Sequence, residues 1–428
     1  MTRKEARARE RAQADVRLAE QSAAAIQEAP RPAYSYKRKR SLARPIAISL
    51  FVLLLAALVA LHLMPLDTKS FEKAAEESLG QPVKIGSIHL SLIPSPQLKM
   101  EKLTIGEDLK ATIASVTASP QLGSIWDAKK IFSKLELEGV SVPQQWLGAV
   151  LWGKRDGQSM QIGRLIVRNF KPEIKGMNLP PMDIEANFAK DGALENAVAI
   201  NSEKTMNLKL SMAEGKTQFE LTGKPYKLPF GGAMEFLSFS GTGTLTANEL
   251  VFSEYEAGVA GGNIAGNARL RWGPNWSLEG DLESRALDAG KVASLLVSSG
   301  RLDGKGTFAM RAATPDKLEG SLRIEGNFSV QKGTLGGVDL TRVLQSDSSS
   351  GGSTQFSEMS GRVVYEAGRA QVSQVRLSAG LLNAAGNVNM DAQSGLSGNL
   401  QMELKAAATQ LRATLTVGGT LAAPVFKR

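Results

Sequence analysis

Met206-Asn-Leu-Lys-Leu-Ser-Met212 sets an apolar residue at every second position, Met206, Leu208, Leu210 and Met212, with Asn207, Lys209 and Ser211 between them. A period of two places alternate side chains on opposite faces of an extended chain, so this stretch reads as a strand with one apolar and one polar face. The same alternation recurs at Ile88, Leu90 and Leu92, and at Met182, Ile184, Ala186 and Phe188. It returns late in the chain at Phe308 and Met310, Leu322 and Ile324, Leu400 to Leu404 and Leu411 to Val417. Between residues 83 and 426 there are roughly twenty such segments, separated by Gly, Asn, Asp and Ser turn signals. Helical patterns are few and short: Phe71 to Leu79, then around Trp126 to Ile131, Gln144 to Leu151, Lys291 to Leu296 and Val338 to Leu344. The βαβ alternation of a parallel nucleotide-binding sheet is absent. So many one-sided strands must bury their apolar faces against another sheet, curl into a gutter, or be covered by something that is not protein.

Upstream of the strands, Pro45 to Leu66 (PIAISLFVLLLAALVALHLMPL) carries no charge. As a helix these residues reach about 33 Å, enough to cross a bilayer core. A cleaved signal peptide would have a shorter basic region and a small-x-small site, which Met64-Pro65-Leu66-Asp67 does not offer. The segment reads as an uncleaved anchor. Residues 1–44 hold twelve basic against five acidic residues, seven of the nine net positive charges of the 428-residue chain. The positive-inside rule then puts the N-terminus in the cytoplasm and residues 67–428 on the other side. Lys37, Arg38, Lys39, Arg40 and Arg44 form a juxtamembrane cluster worth about 1 kcal/mol per charge against anionic headgroups. With the charge concentrated there, the body is nearly neutral and no nucleic-acid partner is expected.

With no Cys and two His, thiol nucleophiles, thiolate metal sites, disulfides and histidine triads drop out. There is no G-x-S-x-G and no P-loop, and Gly241-Thr-Gly243 has too few glycines for a dinucleotide fingerprint. His89 falls on the polar side of its strand. No catalytic residue, metal site or cofactor is assigned, and the chain reads as a non-enzyme.

Two stretches resemble the AsmA family of inner-membrane-anchored envelope proteins. The first is GQPVKIGSIHLSLIPSPQLKMEKLTIGEDLKATIASV with IWDAKKIFSKLELEGVSV, where strands flank the turn Pro94-Ser-Pro96 and one ends at Ile105-Gly106. The second runs from residue 286 to the last residue and carries Gly333-Thr-Leu-Gly-Gly-Val-Asp-Leu340, Thr354-Gln-Phe356, Gly361, Gly368 and Gly419-Thr-Leu-Ala-Ala-Pro424. Together they cover residues 68–142 and 286–428, about half the chain. The organisation expected is a basic cytoplasmic tail (1–44), an anchor (45–66), an AsmA-like N-terminal β region (67–142), a middle β region (143–285) and an AsmA-like C-terminal β region (286–428).

The resemblance implies a fold and a task. The family is similar to the bridge-like lipid-transfer proteins, so the expectation is a mainly β protein: one N-terminal transmembrane helix, then an elongated, curved antiparallel sheet forming an apolar groove with a few short helices. Twenty strands would span on the order of 90 Å if untwisted. It further implies a single-pass bacterial inner-membrane protein whose periplasmic body binds or conducts phospholipid, the inner membrane and other envelope proteins being its partners. The candidate groove residues are Ile88, Leu90, Leu92, Leu98, Met100, Ile184, Phe188, Met206, Leu208, Leu210 and Met212. Periodicity alone leaves a second possibility open, an ordinary sandwich core in an anchored scaffold that assembles outer-membrane or secretion proteins and carries no lipid.

Overall fold

Alternating apolar and polar residues, broken at intervals by turn residues, become one large sheet. In the structure, a computed structural model, residues 11–21, 52–53, 67–91, 95–107, 110–125, 127–144, 160–213, 215–228, 235–346, 351–406 and 409–428 are described. Ala60 to Arg428 form one compact unit. Among the described residues no helix is long and apolar enough to cross a membrane. The segment read as an anchor lies outside the described residues except for Val52 and Leu53, as do Lys37, Arg38, Lys39, Arg40 and Arg44.

Strands β1 (Val83–Ser91), β2 (Gln97–Ile105), β3 (Ala111–Pro120) and β4 (Lys130–Pro143) form an antiparallel meander. β5 (Met160–Glu173) then joins β4 in parallel, with Leu137 opposite Val167. This one step departs from the all-antiparallel expectation. A parallel step needs a long crossover, and residues 144–159 supply the length. Antiparallel pairing resumes through β6 (Met182–Phe188), β7 (Leu194–Asn201), β8 (Met206–Ala213) and β9 (Lys216–Gly223). The two-residue strands β10 (Tyr226–Lys227) and β11 (Glu235–Phe236) make a separate hairpin. The chain re-enters beside β9 as β12 (Ser238–Leu245).

From there every strand pairs antiparallel with its predecessor: β13 (Glu249–Val259), β14 (Gly262–Arg271), β15 (Trp276–Asp288), β16 (Val297–Ala312), β17 (Arg323–Gly336) and β18 (Ser353–Glu366). The run finishes with β19 (Arg369–Ala379), β20 (Leu382–Met390), β21 (Leu396–Ala406), β22 (Thr409–Gly419) and β23 (Pro424–Lys427). The result is a single 21-stranded sheet in which spatial order follows chain order.

The expected short helices are corrected in their bounds. Leu122–Ile125 is a 3₁₀ turn, and Lys130 and Ile131 already belong to β4. Gln144 is helical and the residues after it fall outside the described ones. The third helix is Ala289–Val292, capped by the Asp288 side chain, and the fourth is Leu340–Ser346.

Bulges give the sheet its bends. Asn169 on β5, Ala286 on β15 and Gln374 on β19 all have φ near +55°, and each sits at a break in register. In each case the next strand closes the bulge with a side-chain oxygen that accepts the freed N–H. Asp183 takes Asn169 at 3.1 Å, Asp303 takes Ala286 at 2.6 Å, and Asn387 takes Gln374 at 3.0 Å. Bulges bend a strand and raise its twist, so three built on one plan mark where the sheet curls.

The β1 edge is covered. Asp67 caps the helix Thr68–Leu79, which buries Phe71 and Ala74 and ends at Gly80 in a left-handed conformation. From its other side Glu76 accepts the Val83 N–H at 3.0 Å and Glu72 the Ile85 N–H at 2.8 Å. These carboxylates occupy amides that would otherwise template another strand. Replacing both, Glu72→Ala with Glu76→Ala, is expected to cost about 1–3 kcal/mol and to promote self-association. A urea midpoint and light scattering measure this, and an unchanged midpoint with an unchanged particle size would contradict it.

Three buried cores lie along the sheet. One joins Phe71 to β1–β5, a second spans β6–β9 and leans on β12 and β13, and a third runs from Ala289 to Phe426 and includes Leu340, Val343 and Leu344.

Candidate functional site

Residues directly opposite one another in a sheet point to the same face, so the register can be followed from strand to strand. Starting at Ile88, the row runs Met100, Val116, Leu137, Val167, Ile184, Ala199, Leu208 and Leu221. It continues through Gly241, Tyr255, Gly266, Leu282, Gly306 and Gly326. It closes with Val363, Val372, Val388, Gly398, Val417 and Phe426. One residue from each of the 21 strands takes part, and none is charged or carries an amide or carboxyl group.

A second row lies two residues away on the same face. It links Leu90, Leu98, Ala118, Leu135, Leu165, Ala186, Ala197, Leu210 and Phe219. Beyond β9 it passes through Gly243, Phe252, Ala268, Gly280, Phe308, Ile324, Tyr365, Ala370, Met390 and Leu396.

The other face is the opposite in chemistry. The row between them reads His89, Lys99, Thr117, Glu136, Ile166, Glu185, Val198, Lys209, Glu220, Thr242 and Glu254. Cross-strand ion pairs lace this face, among them Arg164–Glu185 at 2.5 Å, Arg168–Asp183 at 2.8 Å and Lys209–Glu220 at 3.2 Å. Arg362 and Arg323 flank Glu325 and hold its carboxyl below the usual carboxylate range. Glu403 is held low in the same way by Arg412 and Gln410. Two concavities open on this hydrophilic side. One of about 880 Å³ lies among Glu358, Arg376, Gln401 and Thr414, and one of about 620 Å³ among Asn196, Lys209, Gln218 and Thr244.

How the apolar face is covered changes along the sheet. Under β1–β4 it is dry, with Leu98 and Ala118 at 0% exposure. Under β20–β22 it is dry again, with Leu415 at 0%, and the helix Leu340–Ser346 packs into that core. Between these ends, Leu282, Phe308, Ile324, Val363 and Tyr365 belong to none of the three buried cores and stay partly exposed. An aromatic cluster marks the start of this open stretch. Phe239 stacks with Tyr226 at 5.2 Å and meets Phe252 edge-on at 5.7 Å, and Phe252 meets Phe219 at 5.0 Å. Burial among these rings pushes the hydroxyls of Tyr226 and Tyr255 up to about 12.

Glycine stands on the apolar side where neighbouring strands approach closely. A Cβ on Gly266 would overlap the carbonyl of Asp281, and one on Gly306 the carbonyl of Glu325. Only a residue without a side chain fits such close strand approach.

Of the residues picked from sequence, Ile88, Met100, Ile184 and Leu208 lie in the first row, and Leu90, Leu98 and Leu210 in the second. Phe188 and Met206 pack beside the middle core. Met212, next to last in its strand, is 43% exposed, its sulfur accepting from the Thr217 hydroxyl at 3.3 Å. Leu92 lies outside the described residues. His89 is exposed. The glycines and aromatics of β12–β18 were missed, because a glycine leaves no mark in an alternation of apolar side chains. Their signal was spacing: Gly241-Thr-Gly243 and Gly304-Lys-Gly306 fill the apolar slots of a period-two run. Among the described residues no group of acidic or His side chains could hold a metal ion. No family model, no curated protein and no solved structure matches the chain.

Proposed function

We propose that this protein is an envelope lipid carrier: residues 45–66 anchor it in the bacterial inner membrane, and the periplasmic sheet takes up phospholipid acyl chains along its apolar rows and passes them toward the outer membrane. The observation that carries the reading is the row of 21 residues without a charged, amide or carboxyl side chain, one from each strand of the large sheet, which among the described residues stays partly exposed between the middle and C-terminal cores. The AsmA-like stretches, which carry both ends of the row, agree with such a body, and the basic tail with such a topology.

The mechanism needs no catalytic group. Each methylene held on the rows instead of in water is worth about 0.8 kcal/mol, so release of a long acyl chain into water is costly. A shift of one strand spacing, about 4.8 Å, exchanges one apolar site for another and costs little. Sliding is therefore favoured over escape, and the headgroup stays at the wet margin. The full chain, reconstituted between donor and acceptor vesicles of phosphatidylethanolamine and phosphatidylglycerol, is expected to speed transfer of a fluorescent phospholipid. Transfer no faster than without protein would count against lipid carriage and for an anchored scaffold.

A further inference from the structure

The two margins of the sheet can be followed from strand to strand, and they differ. The forward margin, where β5 ends and β16, β18 and β20 begin, carries the connections at residues 174–181, 260–261, 289–296 and 380–381. The rear margin carries those at 246–248, 272–275, 313–322 and 391–395. From β12 to β23, every large apolar side chain that is exposed among the described residues stands at or next to the forward margin. Leu237 precedes β12, Val292 and Leu295 lie between β15 and β16, Leu381 lies between β19 and β20, and Leu411 is near the start of β22. The first four are each more than half exposed. Turns at the rear margin are tied down by polar groups. Asp391 accepts from the Gln393 and Gly395 N–H groups at 2.9 and 2.7 Å, and the Trp272 indole donates to the Ala247 carbonyl at 2.9 Å.

Coiling carries the forward margin of the late strands to one end of the molecule. The turn at 174–181, on the forward margin of β5, packs against the turn at 313–322, on the rear margin of β16, nine strand steps away. A Cβ at Gly176 would overlap the Asp316 carboxylate, and Pro315 and Leu318 are fully buried. In a flat sheet about 40 Å would separate these turns. A ribbon joined forward margin to rear margin must coil and set its later strands ahead of its earlier ones. The forward margin of β15–β22 is then the leading end. The anchor side lies at the other end: the Lys130 ammonium, at the rear end of β4, sits over the Phe71 ring at 4.9 Å, and Asp67, next to the segment read as an anchor, comes one helical turn before Phe71.

Spacing decides what such an end can meet. The connection holding Val292 and Leu295 and the one holding Leu381 are four strand steps apart, about 20 Å. A specific protein interface gathers its apolar contacts into one packed centre of about 800 Å² a side, which separate tips do not supply. A bilayer is fluid and takes up each tip on its own, and the exposed Lys291 beside Val292 suits anionic headgroups.

We propose that Val292, Leu295 and Leu381 form a rim that docks the end of the sheet farthest from the anchor onto a second bilayer. The dock rests on the reading of an anchored lipid carrier and names the surface that meets the acceptor membrane. In the test, the full chain is placed in host vesicles of phosphatidylethanolamine and phosphatidylglycerol. The chain has no cysteine of its own, so a single Leu295→Cys or Leu381→Cys can carry an environment-sensitive fluorophore, with the exposed Ala247→Cys and Ala392→Cys on the rear margin as controls. Separate acceptor vesicles of the same lipids, containing a doxyl-labelled phospholipid, are expected to quench the two rim labels by at least about half and the rear labels not at all. Leu295→Asp with Leu381→Asp is expected to load fluorescent phospholipid as wild type does and to deliver it to acceptor vesicles at least about tenfold more slowly.

Rim labels quenched only by doxyl lipid in the host vesicles, or no more than the rear labels, would overturn the dock. Labels shielded before acceptor vesicles are added would overturn it as well, by showing that a second copy covers the rim. Undiminished delivery by a double variant that loads normally would overturn it and leave the carrier standing. Quenching at the rim with no loading in any form would uphold the contact and remove the lipid reading.

Discussion

Leu282→Asp is expected to stop lipid transfer while leaving the far-ultraviolet circular dichroism and thermal midpoint close to wild type. Leu282 sits in the first apolar row between Gly266 and Gly306, partly exposed and outside all three buried cores. The fold does not depend on it for a dry contact. A sliding acyl chain does, because sites along a row act in series and one charged site obstructs all traffic past it. Displacing the water of a carboxylate costs several kcal/mol, and about 3 kcal/mol already slows passage roughly 100-fold. The matching control is Lys209→Gln on the hydrophilic face. It removes only the exposed pair with Glu220 and should leave transfer unchanged. Equal transfer by Leu282→Asp and wild type would mean that lipid does not travel this row.

Gly266→Val is expected to damage the fold itself. Its side chain would enter the space of the Asp281 carbonyl on the neighbouring strand, which cannot give way without loss of ladder bonds. A penalty of about 3 kcal/mol or more follows, read as a lower denaturant midpoint. Gly273, in the turn between β14 and β15, has nothing within 4 Å of a would-be Cβ, and Gly273→Ala should be tolerated. Similar midpoints for both variants would show that close strand approach is not what places glycine at 266.

The strands were legible from alternation because a sheet with one wet face imposes a period of two, and Met206 to Met212 shows it without interruption. The number of sheets was not legible. Whether Leu208 meets a second sheet or the interior of a curl depends on bends, and Asn169, Ala286 and Gln374, three residues of unrelated type in one backbone conformation, mark three of the breaks in register that produce them. Their partners Asp183, Asp303 and Asn387 look in sequence like ordinary polar-face residues. The parallel step between β4 and β5 was hidden for a related reason, since strand direction follows from the length of a connection and from nothing in the strand. Among site residues, Leu98 and Leu210 could be named because their side chains are apolar. Gly243 and Gly280 complete the same row by having none.

The most direct test of the central claim is a photo-crosslinking scan of the full chain in its membrane. A photoreactive residue is placed in turn at Ile184, Leu208, Leu282 and Val363 on the apolar row, and at Glu185, Lys209, Asp281 and Val364, an adjacent residue in each strand, on the other face. The account predicts phospholipid adducts, identified by mass spectrometry, at all four row positions and at none of the four neighbours. Adducts on both faces alike, or none on the row, would contradict it.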